Sequence, residues 1–186
     1  MNSSLLISSL KELPRFEGSH CPNQSNHEYI KRVDTGKYVR LEDVVISGYF
    51  NPIHTGHLDY IKAASKLGDR LVVIVNNDEQ VKLKGSVPFM DVYERIRIVN
   101  AIKGVDRVVL SIDTNKSVVK TIESIYNEYA VNYDFDSMVF ANGGDVNPAN
   151  SNEEYFCQSR RIDTAYNVGG EKTQSSSELL KGKHDA

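Results

Sequence analysis

The chain has 186 residues, of which 40% are hydrophobic and 25% are charged, with a formal net charge of −3. This length suits one compact domain with some extra chain, and no apolar run approaches the ~20 residues that a membrane-spanning helix requires. The 22 basic and 25 acidic residues form no basic block of the kind that general nucleic-acid binders carry. We therefore expect neither a membrane nor a nucleic acid as a partner.

Residues 1–42 differ in composition from the rest of the chain. They are rich in Ser, Asn, His and Lys, and proline and glycine interrupt them repeatedly. The segment lacks the basic start and long apolar stretch of a signal peptide. We predict an N-terminal extension or arm over residues 1–42 and one domain over residues 43–186.

The cysteines and nearby histidines give little sign of covalent or metal cross-links. Cys21 and Cys157 are far apart in polar surroundings, which argues against a disulfide framework and favours the reducing cytoplasm. The spacing of His20, Cys21 and His27 matches no zinc pattern. We therefore predict a cytoplasmic protein without a metal site formed by its own side chains.

From residue 43 onward, apolar segments typical of buried strands alternate with segments of helical periodicity. The predicted strands are residues 44–50, 70–76, 105–112, 137–141 and 162–168. The predicted helices are residues 56–67 with Gly68 as C-terminal cap, 92–102 ended by Gly104, 118–129, 153–160 and a short last helix from Ser175. This alternation predicts a Rossmann-like three-layer α/β/α sandwich with a parallel five-stranded sheet.

The loop after the first strand carries the most informative residues. His54 and His57 stand three residues apart with Gly56 between them, where the strand meets the first helix. The free N–H groups of a helix N-terminus attract anions, and two imidazoles on one helical face can donate hydrogen bonds to a phosphate. Gly48 and Gly56 would let a ligand approach the backbone closely. Taken alone, the histidine pair could instead be a metal site or two unrelated surface residues.

The segment 48–57, with the sequence GYFNPIHTGH, resembles the H-x-G-H signature of the cytidylyltransferase-like nucleotidyltransferase superfamily. Further stretches resemble the heptose-1-phosphate adenylyltransferase domain, and glycerol-3-phosphate cytidylyltransferases share a similar set. These stretches are residues 67–71, 75–78, 81–85, 94–95, 105–106 and 142–145, together with 175–177 at the place of the C-terminal serine signature. The resemblance covers roughly residues 43–181.

The resemblance implies a function and a set of site residues. A substrate phosphate would attack the α-phosphorus of ATP or CTP and release pyrophosphate, with Mg²⁺ accompanying the nucleoside triphosphate and a homodimer as the assembly. His54, His57 and Lys84 would be catalytic. Nucleotide and phosphate binding would fall to Gly48, Tyr49, Phe50, Asn51, Gly56, Asn142, Gly144, Asp145, Ser175, Ser176 and Ser177. Binding of the phosphorylated substrate would fall to Asn76, Asp78 and Arg95.

Several alternatives stay open at the level of sequence. Lys82 competes with Lys84, Arg95 could make surface salt bridges along its helix, and the 175–177 serines could serve only as a helix cap. Transfer of an adenylyl group to a sugar or polyol phosphate is slightly preferred. The alternatives are a glycerol-3-phosphate type of cytidylyltransferase and an inactive nucleotide-binding regulator on the same fold.

Overall fold

A computed structural model of the chain describes residues 30–32, 38–40, 42–130, 138–144, 151–170 and 176–181. The chain divides into two compact units, residues 1–41 and 42–186. In the first unit, β1 (Ile30–Arg32) pairs antiparallel with β2 (Tyr38–Arg40). The sequence analysis missed this hairpin because strands of three residues are too short for an alternating pattern to be recognised.

The second unit is built on a parallel sheet whose strands are separated by helices. Its five strands lie in the order β5-β4-β3-β6-β7, and every neighbouring pair is parallel, which confirms the predicted α/β fold. The strands are β3 (Asp43–Gly48), β4 (Arg70–Val75), β5 (Arg107–Leu110), β6 (Met138–Gly143) and β7 (Asp163–Val168). The helices are α1 (Thr55–Ala64), α2 (Asp78–Leu83), α3 (Val92–Asn100), α4 (Val119–Ala130), α5 (Asn152–Arg160) and α6 (Ser176–Lys181).

The core lies between this sheet and its helices. Alternate residues of β3 and β4, such as Val44 and Val73, pack in one buried cluster with Ile61 of α1 and Val99 of α3. The intervening residues of these strands are buried as well, as expected for a parallel sheet covered on both faces. Among the described residues, no helix has the length and apolar character needed to cross a membrane.

Two details differ from the sequence-based expectation. Helix α1 ends at Ala64 with Ser65 as its C-terminal cap, so the prediction of Gly68 as cap is wrong. A Cβ atom on Gly68 would lie 2.7 Å from the carbonyl oxygen of Glu42, so this glycine permits close packing against the start of β3. Helix α2 was not predicted, although Asn77 and Gln80 form a reciprocal capping box, which is typical of the start of a helix.

The sheet opens between β3 and β6 at the carboxyl ends of these strands. The ladder between β3 and β4 reaches Gly48 and Val75, the last residues of both strands. The ladder between β3 and β6 stops at Val45 and Phe140, although both strands continue for three more residues. The strand order also reverses here, and open α/β sheets bind ligands in the crevice at such a point.

Candidate active site

The loop after β3 turns sharply at a buried aromatic residue. Phe50 has a φ of 49° and is almost fully buried. A Cβ atom on Gly48 would lie 2.7 Å from the Phe50 ring, so the aromatic ring requires a glycine at this position. The expectation that Gly48 leaves room for a ligand is therefore wrong for the space that a side chain at this position would fill, because the Phe50 ring occupies that space. The Phe50 ring belongs to the core, so the ring is not available to a ligand, and the expected role of Phe50 in nucleotide binding could involve only its backbone.

The two histidines meet at the start of α1. His54 is the N-cap residue, and its backbone N–H donates a hydrogen bond to Nδ1 of His57 at 3.2 Å. The two imidazole rings stack with centroids 3.9 Å apart, and the Phe50 ring lies 4.9 Å from His57. Gly56 is the second residue of α1, so it lies in the same first turn. The structure thus brings both predicted histidines together at a helix N-terminus.

The protonation state of His57 follows from these contacts. Burial, and then the charges of His54 and Lys84, lower the pKa of His57 to about 3. The ring is therefore neutral near pH 7. Since its Nδ1 accepts a hydrogen bond, the single proton is on Nε2. His57 can donate one hydrogen bond to a ligand without carrying a charge.

Lys84, and not Lys82, belongs to this loop. The Lys84 ammonium lies 4.4 Å from the centroid of the Tyr49 ring, and its charge contributes to the lowered pKa of His57. The Lys82 ammonium instead bonds to the Glu79 carboxylate at 2.7 Å on the exposed side of α2. The pKa of Tyr49 is raised by burial and by the charge of Glu153. An ammonium, an imidazole and a phenol therefore share one corner of the crevice.

Asn51 organises the neighbouring segment between α2 and α3. Its amide nitrogen donates to the carbonyl of Val87 at 2.9 Å, and its amide oxygen accepts from the N–H of Phe89 at 2.6 Å. Because Asn51 is buried and both ends of its amide are engaged, its side chain is not available to a phosphate. Its expected role in phosphate binding is corrected to that of a clamp between two loops.

The serine segment reaches the same loop at one described position. The Ser176 hydroxyl donates to the carbonyl of Pro52 at 3.0 Å, which attaches the start of α6 to the histidine loop. Ser177 is in α6, but its side chain lies outside the described part of the structure, as does Ser175. The structure therefore places Ser176 against the histidine loop, and the role of the three serines in phosphate binding stays a prediction.

The three residues expected to bind the phosphorylated substrate form an internal network instead. The Arg95 side chain is fully buried and donates to the carbonyls of Tyr49 at 2.6 Å and Asn76 at 2.8 Å, and to the Asp78 carboxylate. The Asn76 amide donates to Gln80 at 3.1 Å. Arg95 is thus neither a substrate ligand nor part of a surface salt bridge, and both sequence-level readings of it are wrong. It fixes the backbone of Tyr49 beside the histidine loop, while Asp78 stays partly exposed.

The end of β6 is positioned by Tyr60, a residue that the sequence analysis did not single out. The Tyr60 hydroxyl donates to the carbonyl of Ala141 at 2.6 Å. A Cβ atom on Gly143 would lie 2.9 Å from the Tyr60 ring, and one on Gly169 would lie 2.9 Å from its Cα. Helix α1 therefore lies against the end of β6 through the Tyr60 side chain, and against the residue that follows β7 through the Tyr60 backbone. A tyrosine at helical spacing looks like any packing residue, so no signal in the sequence marked it.

The predicted turn after β6 is described only in part. Asn142 is 9% exposed, and Gly144 has a φ of 63°, a value that favours glycine. Asp145 lies outside the described residues. The structure therefore places Asn142 and Gly144 at the carboxyl edge of the sheet and leaves the prediction for Asp145 standing.

The donor set around the loop does not fit a metal held by protein side chains alone. Within the described ranges, no group of three or more His, Cys, Asp and Glu residues could hold a metal ion. The nearby Asp78 carboxylate is bonded to Arg95. The expectation of a Mg²⁺ ion that accompanies a nucleoside triphosphate stays a prediction, since Mg²⁺ often binds through substrate phosphates and few protein ligands.

The histidine loop lies in a part of the chain that matches a known family, and individual relatives resemble the chain over part of its length. The profile of the cytidylyltransferase-like family matches residues 45–175. An FAD synthase of Thermoplasma acidophilum is 39% identical over 84 residues, which are 44% of this chain and 59% of that relative. The bifunctional protein HldE of Pasteurella multocida is 41% identical over 80 residues, covering 41% of this chain and 17% of that protein.

A solved structure shares the fold at low sequence identity. A bifunctional NMN adenylyltransferase/ADP ribose pyrophosphatase of Francisella tularensis, complexed with AMP and a manganese ion, superposes with a TM-score of 0.55. It is 15% identical, and the match covers 78% of this chain and 42% of that one. Because the family profile spans more than half of the sequence, including the histidine loop, the chain belongs to the cytidylyltransferase-like family.

Proposed function

We propose that this chain is a nucleotidyltransferase that transfers the nucleoside monophosphate of ATP to a small phosphorylated acceptor and releases pyrophosphate. The observation that carries the proposal is the stacked pair His54 and His57 at the start of α1, in which Nδ1 of His57 accepts from the His54 N–H and Nε2 is left as the donor. A neutral histidine that can only donate suits charge stabilisation on a phosphate. It is a poor general acid or base near pH 7.

The proposed reaction needs no proton transfer from the protein. An oxygen of the acceptor phosphate attacks the α-phosphorus of ATP, and the bond from that phosphorus to the bridging oxygen breaks as pyrophosphate leaves. Negative charge gathers on the α-phosphoryl oxygens and on the leaving group. His57 donates a hydrogen bond from Nε2, His54 lies stacked beside it, and the Lys84 ammonium adds positive charge. Together they would stabilise the transition state by positioning and electrostatics.

The proposal also specifies which nucleotide and which class of acceptor the protein uses. We favour ATP because FAD consists of an adenylyl group joined to a flavin phosphate, and an FAD synthase is among the relatives of this chain, at 39% identity over 84 residues. The acceptor remains a sugar or polyol phosphate, as the sequence analysis expects. The FAD synthase similarity gives flavin mononucleotide as a second candidate. An inactive regulator is disfavoured, since both histidines and Lys84 are present.

A screen for pyrophosphate release tests this proposal. Purified protein with Mg²⁺ would be given each of ATP, CTP, GTP and UTP with a panel of sugar phosphates, polyol phosphates and flavin mononucleotide. We expect release with ATP and one acceptor class, abolished in a His54→Ala/His57→Ala variant and kept in a Lys82→Ala variant. Release of pyrophosphate only with CTP and glycerol 3-phosphate would show that the protein is a cytidylyltransferase and not the adenylyltransferase that we propose. If no combination released pyrophosphate, the proposal that the protein is a nucleotidyltransferase would be contradicted.

Three further expectations belong to the same proposal. A Mg²⁺ ion accompanies the triphosphate, the protein is a homodimer, and it acts in the cytoplasm. Titration of activity with EDTA and added Mg²⁺, light scattering after size-exclusion chromatography, and cell fractionation test them in turn. Full activity in excess EDTA, a monomeric mass or an enrichment in membranes would each contradict one of them.

A further inference from the structure

Gln80 is a fully buried polar residue of α2 whose side-chain amide forms hydrogen bonds to two separate parts of the chain. Its Oε1 atom accepts from the Asn76 side-chain amide and from the Asn77 N–H, both at 3.1 Å, in the segment between β4 and α2. Its Nε2 atom donates to the carbonyls of Asn115 and Ser117 at 2.8 and 2.7 Å, in the segment between β5 and α4. One side chain therefore attaches α2 to the segments that follow two neighbouring strands.

The position of α2 depends on this attachment. With six residues, the helix is too short to be stable on its own. All of its residues are described, and only Gln80 and Val81 are buried. The contacts of an apolar side chain such as Val81 have no preferred direction, whereas hydrogen bonds are directional. The Gln80 amide therefore fixes the rotation of α2 and its distance from the sheet.

Lys84 lies one helical turn after Gln80. It is the C-cap residue of α2, and its backbone N–H donates to the Gln80 carbonyl at 3.0 Å. The Lys84 side chain is exposed, and its ammonium lies 4.4 Å from the centroid of the Tyr49 ring. Because the Lys84 backbone is bonded to that of Gln80, a rotation of α2 would move this ammonium away from Tyr49.

We propose that Gln80 is a positioning residue, which holds the Lys84 ammonium at the active site by fixing α2. The inference rests on the proposed function, because it takes Lys84 as a group that stabilises charge on the reacting phosphates. It goes beyond that function in naming the side chain on which the place of this lysine depends. Errors of about 1 Å in the position of a catalytic group can cost on the order of 10² in rate, so loss of these hydrogen bonds should be measurable in kcat.

Gln80→Met tests the inference, because methionine keeps the approximate length and volume of the side chain and removes the four hydrogen bonds of its amide. We expect kcat for pyrophosphate release to fall by about 10- to 10²-fold, with a KM for the triphosphate within about twofold of that of the wild type. In a Lys84→Ala background, the same substitution should lower kcat no further, since the lysine that it displaces is gone.

A control and a second variant separate positioning from a general loss of stability. The Asp43 carboxylate is buried and accepts from Arg70 at 2.7 Å, at the amino ends of β3 and β4. Asp43→Asn should therefore lower the Tm and leave kcat unchanged. Gln80→Glu keeps an acceptor oxygen and, while its carboxyl group is protonated, one donor. Its kcat relative to that of the wild type should fall as the pH rises and this group ionises.

A spectroscopic measurement separates the inference from the proposed function. In Gln80→Met, the NMR resonances of the Tyr49 ring should shift toward those of Lys84→Ala, and in Asp43→Asn they should keep their wild-type positions. If the wild type released no pyrophosphate but this shift were seen, the proposed function would fail and the placement of Lys84 by Gln80 would stand. Without activity and without the shift, both would fail.

The kinetic outcomes apply to an active wild type. If Gln80→Met kept the wild-type kcat, or lost as much kcat in the Lys84→Ala background as in the wild type, the positioning role of Gln80 would be overturned. If Gln80→Met did not fold, the pH profile of Gln80→Glu would decide. A constant ratio of its kcat to that of the wild type across the pH range would then overturn the inference.

Discussion

The backbone N–H of His54 donates a hydrogen bond to Nδ1 of His57 at 3.2 Å, so the two nitrogens of the His57 ring have different roles. One edge of the ring accepts a hydrogen bond that belongs to the fold at the start of α1. The other edge carries the Nε2–H, which would donate a hydrogen bond to a phosphate oxygen. Because the two ring nitrogens differ in role, substitutions that imitate one nitrogen at a time can separate stability from activity.

The first prediction uses His57→Asn and His57→Ala. The amide oxygen of asparagine can take the place of Nδ1 and accept from the His54 N–H, but the shorter side chain has nothing at the position of Nε2. We expect His57→Asn to keep a Tm near that of the wild type and to lose about 10²–10³ in kcat, as for one oxyanion donor. His57→Ala should lose both stability and activity. Steady-state kinetics and thermal melts would decide, and a fully active His57→Asn protein would refute the role of Nε2.

The second prediction concerns the pH dependence of stability. The pKa of His57 is about 3 in the folded protein, below the ordinary value of 6.5. Between these two values the unfolded chain binds a proton that the folded protein does not, so acidification favours unfolding. The contribution of His57 to stability is present above about pH 6.5 and falls as the pH decreases toward 3. The Tm of the wild type should therefore decrease more than that of His57→Asn between pH 7.5 and pH 4.5. Equal decreases would contradict the lowered pKa.

The third prediction compares two neighbouring lysines. Lys84 contacts Tyr49 beside the histidines, whereas Lys82 pairs with Glu79 on the exposed side of α2. If the Lys84 ammonium stabilises charge that develops during the reaction, Lys84→Ala should lower kcat more than it raises the KM for the triphosphate. Lys82→Ala should leave both parameters near those of the wild type. If Lys82→Ala lost activity and Lys84→Ala kept it, the catalytic lysine would be Lys82 and not Lys84.

Much of the fold and the centre of the site could be predicted because the signals are local in sequence. The alternation of apolar strands and helices gave the parallel sheet, and the spacing of His54 and His57 on one helical turn gave the histidine pair. Helix α2 was overlooked although its capping box is also local. With only six residues, Asp78–Leu83, this helix is too short to show a helical period.

The remaining features depend on partners far away in the chain. Arg95 bonds to the carbonyl of Tyr49, 46 residues earlier, and Asn51 clamps Val87 and Phe89, which are 36 and 38 residues later. Neither contact leaves a periodic trace, since an arginine on a helix and an asparagine in a loop are ordinary surface residues. The sequence therefore indicated that these polar residues matter to the site, but their partners are groups of the protein and not, as expected, a ligand.

The fourth prediction follows from the corrected role of Arg95. Removing one partner of a buried ion pair leaves the other groups without compensation and typically costs about 3–5 kcal/mol. Arg95→Met should therefore lower the free energy of unfolding strongly, because three acceptors lose their donor. Asp78→Asn should cost less, since Asp78 is 32% exposed. Denaturant unfolding would measure both. A stable Arg95→Met protein with only a raised KM for the acceptor would restore Arg95 as a substrate ligand.

The last prediction compares two adjacent glycines after β7. Gly169 and Gly170 have φ values of 89° and 80°, so alanine at either position meets the same conformational penalty, about 1–2 kcal/mol. A Cβ on Gly170 would meet nothing within 4 Å, whereas one on Gly169 would lie 2.9 Å from the Cα and 3.1 Å from the backbone nitrogen of Tyr60. Backbone atoms of a helix cannot rotate away as a side chain can, so Gly169→Ala must displace α1.

We therefore expect Gly169→Ala to be clearly less stable than Gly170→Ala, and to lose activity as well. His57 lies one helical turn before Tyr60 on α1, and a shift of this helix would move the imidazole away from the reacting phosphate. Positioning errors of about 1 Å can cost on the order of 10² in rate. Denaturant unfolding and kcat of the two variants would test this. Equal losses of stability would show that α1 tolerates the added methyl group and that the contact between Tyr60 and Gly169 does not hold the helix in place.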